Sequence, residues 1–168
     1  MEKKVLSQQV IYFGEVKIPK GFEIDKECLS KNILHETYYN QQLPCFAKHI
    51  DQLNSFIRDH ISIENNFKIY SERFFGNMYK PGESSPLLLG ADFNNLKNSV
   101  DYTTLYGIDV NSCFVNIYFD DNRKKERMYR TELKTNMFLM FPSTNKYIIE
   151  NKQEKSFNFV ETITYAHP

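Results

Sequence analysis

The hydrophobic period of this chain changes near residue 67, and that change limits the folds open to it. Before it, Phe46, Ile50, Leu53, Phe56, Ile57 and Ile61 recur at steps of three and four. This is the spacing of one helix face. Pro44 suits the first turn of that helix. After residue 67 the period shifts toward two. Strands are expected at 67–71, 73–79, 102–108, 112–119, 127–133, 137–141, 146–150 and 156–165. Pro81-Gly82, Asn94-Asn95, Asp120-Asp121-Asn122 and Pro142-Ser143 supply the turns between them.

The N-terminal part adds a strand over 10–18, broken near Gly14 and stopped by Pro19. Asp25 is placed to cap a short helix running to about residue 34. The expected class is therefore mainly β with N-terminal helices (α+β). The expected architecture is an antiparallel double-sheet jelly roll with one or two helices packed on the outer face of one sheet. The 168 residues make a single domain, with 1–66 holding the early strand and helices and 67–165 the jelly-roll strands.

Twenty-one basic and twenty-one acidic side chains cancel, which removes any general pull toward nucleic acid or anionic lipid. The densest basic run, Arg123-Lys124-Lys125-Glu126-Arg127, reads as a solvated hairpin tip. No signal-peptide core follows Met1-Glu2-Lys3-Lys4, and no apolar run approaches a membrane span. The expected location is the cytoplasm of a host cell or a virion assembled there. Cys28, Cys45 and Cys113 are widely spaced and odd in number, so they are expected as free thiols packed like small apolar residues.

The histidines predict no metal centre. His49 and Asp51 spell H-x-D but fall inside the amphipathic helix, where positions i and i+2 point about 200° apart. His60 lies three helical turns from His49, His35 is isolated, and His167 is expected to fray. Nucleophile and phosphate-loop motifs are absent. Asp92, Asp101, Asp109, Asp120 and Asp121 sit at loop edges, where turn formation accounts for them.

Three segments carry a family resemblance. Glu72–Phe75 leading into Asn77-Met78-Tyr79-Lys80-Pro81-Gly82-Glu83 resembles the strand and turn before the metal motif of Fe(II)/2-oxoglutarate-dependent oxygenases, in the prolyl-hydroxylase-like forms of tailed bacteriophages. Leu139-Met140-Phe141-Pro142-Ser143 resembles a strand end of that family, and the stretch from Ile149 to Phe159 its closing hairpin. The resemblance spans about residues 67–165 and implies a double-stranded β-helix. It also implies a facial triad of two His and a carboxylate around iron. Aligned on those motifs, Leu87 stands at the first His, Leu89 at the carboxylate and Tyr147 at the second His. Asp92 is a displaced alternative acid, and Lys155, or Ser156 with a shift of one, aligns with the Arg that grips 2-oxoglutarate. No His lies between His60 and His167, so both imidazoles are missing whatever the register.

The expectation is a non-catalytic oxygenase-like jelly roll without cofactor. It would act as a binding or structural module of a phage virion, through protein partners or self-association, with neither nucleic acid nor membrane. Tyr38, Tyr39 and Phe46 are candidate contact residues. Leu87, Leu88, Leu89, Tyr147, Phe157 and Phe159 are expected to plug the barrel. The alternative is an oxygenase with an atypical site of Asp92 and Tyr147, with Fe(II) and 2-oxoglutarate held by Lys155. A third reading is a small-ligand or sugar-binding jelly roll using the Asn-rich loop 90–100.

Overall fold

A computed structural model describes residues 9–65, 68–120 and 126–168, the last three of the first range as backbone only. The basic run at 123–125 lies outside them. Strand β1 (Tyr12–Glu15) precedes helices α1 (Lys26–Tyr39) and α2 (Phe46–Asn65). Strands β2 (Tyr70–Tyr79), β3 (Leu88–Leu89), β4 (Tyr102–Asp109), β5 (Cys113–Asp120), β6 (Glu126–Leu133), β7 (Met137–Pro142), β8 (Lys146–Asn151) and β9 (Asn158–Ala166) follow. They form two antiparallel sheets, β1-β7-β4-β9-β2 and β3-β8-β5-β6. This is the expected jelly roll.

Sequence expectations and structure differ in a few places. The strands expected at 67–71 and 73–79 merge into one, β2, which begins at Tyr70 and carries a bulge between Ser71 and Arg73, while position 67 lies outside the described residues. The bulge resets the alternation that made them look separate. Asp25 does cap α1, accepting the Cys28 N–H at 2.9 Å. The helix nevertheless runs on to Tyr39, where Asn40 turns left-handed at φ 53° and donates its N–H to Glu36 O. His167 does not fray: its N–H donates to Asp101 Oδ2 at 2.8 Å, and its ring packs edge-on against Tyr102.

The free-thiol expectation is overturned for one pair. Cys28 and Cys45 form a disulfide, with Cα atoms 6.6 Å apart. The start of α1 and the loop before α2 fold back onto each other, a proximity that a 17-residue separation does not reveal. Cys113 is free and buried, and burial pushes its thiol up to about 12.

The central strands β4 and β9 of the five-stranded sheet are buried on both faces. The outer face of the sheet carries Tyr106, Ile108, Phe138, Met140, Ile163 and Tyr165 against the helices. The buried stripe of α2 that meets them is Phe46, Ile50, Leu53, Ile57 and Ile61, as the periodicity requires. Each such side chain contributes about 1.5–3 kcal/mol by leaving water. The inner face carries Leu105, Leu139, Phe141 and Val160 against Val115, Ile117, Tyr147 and Ile149 of the four-stranded sheet. Gly76 of β2 makes close packing of α1 possible: an added Cβ would meet Ile33 Cγ1 at 2.1 Å.

Candidate functional site: a polar cavity between two open sheet edges

Each sheet ends on one side in an unpaired strand, β2 in the larger and β3 in the smaller. A cavity of about 280 Å³ lies where these two borders face each other. Strand β2 contributes Glu72, Arg73 and Phe75, and β3 contributes Leu89. Thr103 of β4, Thr164 of β9 and Tyr147 of β8 form the back. Loop residues Asp92, Asn95, Asn98 and Ser99 close the remaining side.

Local hydrogen bonds shape that loop. Asp92 Oδ1 accepts the Asn94 N–H at 2.9 Å, a side-chain-closed turn. The Asp92 N–H donates to Ser99 Oγ at 2.7 Å. Asn98 Nδ2 donates to Asn95 Oδ1 at 3.1 Å, which leaves Asn95 Nδ2 and Asn98 Oδ1 for other partners. Loop and sheet meet at Gly90, where a Cβ would stand 2.0 Å from Thr103 Oγ1. Thr164 is 4% exposed, and its Oγ1 has no hydrogen-bond partner among the described residues.

Of the aligned ligand positions, Leu89 and Tyr147 line the cavity and Leu87 does not. Leu88 pairs with Tyr147 and Leu89 with Lys146 across the β3–β8 ladder. Leu87 and Leu89 are 55% and 40% exposed, whereas Leu88 packs on the inner core. Tyr147 is buried and stacks edge-on against Phe141 at 5.1 Å. Burial pushes its hydroxyl up to about 12, so it stays protonated at neutral pH. Only Leu88 and Tyr147 of the expected plug pack in the inner core. Leu87, Leu89 and Phe157 are exposed, Phe159 packs on the outer, helix-covered core, and the space beside Tyr147 is an open polar cavity.

These residues do not fit ferrous iron. Leucine offers no lone pair, and a buried neutral phenol is a poor ligand. Among the described residues, no three His, Cys, Asp or Glu side chains converge as a metal site. Lys155 is exposed in the segment between β8 and β9 and does not line the cavity. The cavity-side positions of β9 hold Asn158, Val160, Thr162 and Thr164, none of them basic. Asn158 is occupied with the Asn111 backbone, accepting its N–H and donating to its carbonyl. His49, of the H-x-D triplet, accepts the Asp25 N–H at 3.4 Å on the helical layer, with Asp51 exposed.

Of the residues named from sequence, Leu89, Asp92 and Tyr147 meet at the cavity, and Leu87 and Lys155 do not line it. Sequence reading missed Glu72, Arg73, Phe75, Thr103 and Thr164, because their meeting depends on how the two borders pair across the sandwich. It also missed Glu161, which is fully buried under α1 with neither carboxylate oxygen hydrogen-bonded among the described residues. Burial, with a smaller push from Glu36, raises its carboxyl to about 8. A signal was present: Glu161 shares the alternation of Ile163 and Tyr165 in an otherwise apolar and Thr-rich strand.

No protein-family model and no curated sequence matches the chain. Solved structures do match in shape. The non-heme alpha-ketoglutarate-dependent epimerase SnoN from nogalamycin biosynthesis superposes with a TM-score of 0.65 at 5% identity, covering 94% of this chain and 77% of that one. The viral collagen prolyl hydroxylase of Paramecium Bursaria Chlorella virus-1 superposes at 0.63 with 11% identity, over 93% and 96% of the two chains. A Pseudomonas putida prolyl-4-hydroxylase superposes at 0.58 with 10% identity, over 95% and 94%. The protein has the double-stranded β-helix fold of the 2-oxoglutarate/Fe(II) oxygenases.

Proposed function

We propose that this protein is a non-catalytic binding module on an oxygenase-like scaffold, receiving a small polar ligand in the cavity between β2, β3 and loop 90–100. The observation that carries this reading is that Leu89 and Tyr147, which the resemblance aligns with two of the iron ligands, line an open polar cavity together with Asp92. The chemistry of the metal has gone while the room for a ligand remains. Small-molecule sites typically combine a partly apolar wall with a few converging polar groups. Phe75, Leu89 and Tyr147 supply the first, and Arg73, Asn95, Asn98 and Thr164 the second.

An assembly role, including one in a phage virion, is a compatible second reading. Tyr38 and Tyr39 support it, each 68% exposed at the end of α1. Phe46, grouped with them from sequence, is buried in the helical core and offers no surface.

The test is an anaerobic titration with Fe(II) or Mn(II) and 2-oxoglutarate, read by thermal unfolding. Specific loading at a hundredfold excess over the dissociation constant stabilises by about 2.7 kcal/mol. The expected result is no shift. A shift abolished by Asp92→Asn or Tyr147→Phe overturns the non-catalytic reading and restores the atypical oxygenase.

A further inference from the structure

We propose that the cavity takes a neutral, polyhydroxylated ring: one sugar residue, free or at the end of a glycan. This rests on the reading of the cavity as a ligand site and names its ligand class.

Charge is the first argument. Among the described residues the lining holds one cation, Arg73, against two carboxylates, Glu72 and Asp92. A dianion such as 2-oxoglutarate would face a net negative wall. A divalent cation would find only two carboxylates, and no three His, Cys, Asp or Glu side chains converge among the described residues. A neutral ligand suffers neither penalty.

Hydrogen-bond character is the second. A sugar hydroxyl donates once and accepts twice, so vicinal hydroxyls need donors and acceptors side by side. The carboxylates only accept and the Arg73 guanidinium only donates. The Asn95–Asn98 pair presents one free amide nitrogen and one free carbonyl oxygen. Thr164 Oγ1, nine-tenths buried and unpartnered at the back of the cavity, can do both. A buried hydroxyl without a partner is costly to keep, and a bound hydroxyl would satisfy it.

Shape is the third. Phe75 is 42% exposed on the β2 wall with Leu89 also lining the cavity, an apolar surface against which the C–H face of a pyranose can pack. The volume of about 280 Å³ is at the lower limit of the roughly 300–1,000 Å³ typical of ligand sites. That suits one ring, with any attached chain leaving through the border between β2 and β3.

The experiment is ligand-detected NMR and calorimetry on the full chain. The probes are glucose, galactose, mannose, N-acetylglucosamine and their methyl glycosides, followed by a glycan array that separates free sugar from glycan end. At least one of these sugars is expected to bind. Thr164→Val, which keeps the side-chain volume, and Asn98→Ala should each weaken binding by about three- to tenfold, the loss expected for one hydrogen bond. Binding unaffected by both variants overturns the proposal by placing the sugar elsewhere. If no sugar binds but a dicarboxylate such as succinate does, and Thr164→Val weakens it, the sugar assignment falls and the cavity stands as a ligand site. If sugars and dicarboxylates all fail, both readings fall.

Discussion

Thr103 Oγ1 lies 2.8 Å from Ser143 Oγ, and the two hydroxyls sit directly against the bare Cα of Gly90. Loop 90–100 is held to the sandwich at this point, reinforced by the Ala91 N–H donating to Ser143 O at 3.0 Å. A methyl group at Gly90 would stand 2.0 Å from one hydroxyl and 3.1 Å from the other. Gly90→Ala should therefore lift the loop and cost about 1–3 kcal/mol, the range for overpacking. Chemical denaturation measures the cost. Loss of ligand binding beyond that of an equally destabilised variant remote from the cavity identifies the loop displacement.

Glu161 gives a pH dependence of defined sign. Its carboxyl titrates near 8 in the folded chain and near 4.5 when unfolded. Between those values the unfolded chain has released a proton that the folded chain keeps, so stability falls as pH rises. The maximum slope is about 1.4 kcal/mol per pH unit. The favourable term is complete below pH 4.5 and fully lost above 8. Glu161→Gln should flatten this slope and raise the melting temperature most at pH 8. Parallel stability curves for the two proteins would contradict it.

Gly76 and Ile33 form a matched pair of small and large. With α1 seated as it is, Gly76→Ala drives a methyl into the Ile33 side chain. It should destabilise by about 1–3 kcal/mol. Adding Ile33→Val should recover part of that, so a double-mutant cycle should yield a coupling of about 0.5–3 kcal/mol.

The Cys28–Cys45 disulfide should contribute about 2–4 kcal/mol. Reductant, or Cys45→Ser, is expected to lower the melting temperature. Thiol titration should find no reactive group in the native protein and one after denaturation, because Cys113 is buried with its thiol held at about 12.

Much of the architecture could be read from local pattern. The α2 stripe from Phe46 to Ile61 and the turns at Pro81-Gly82 and Pro142-Ser143 are written in neighbouring residues, and they were found. Leu89 and Tyr147, both at the cavity, were linked from sequence only by the ordered motifs of the resemblance, not by any property of leucine or tyrosine. What stayed hidden depends on three-dimensional meeting. Whereas the Asn-rich loop 90–100 could be named from sequence, Arg73 and Thr164 lie far apart in the chain and look like ordinary strand residues until the two strands line one cavity. The same holds for Cys28 and Cys45. Lys155 was placed by aligning a short motif, and the segment between β8 and β9 carries it away from the cavity.

The strand order of the five-stranded sheet divides the cavity into parts of unequal endurance. Thr103 and Thr164 stand on β4 and β9, interior strands flanked on both sides by hydrogen-bonded neighbours. Glu72, Arg73, Phe75 and Leu89 stand on strands with one bare side. Amide deuteration should reach the second group long before the first. The back of the cavity is thus a fixed anvil and its lip a yielding one, so movement at the lip can widen the opening while the wall behind it keeps its form.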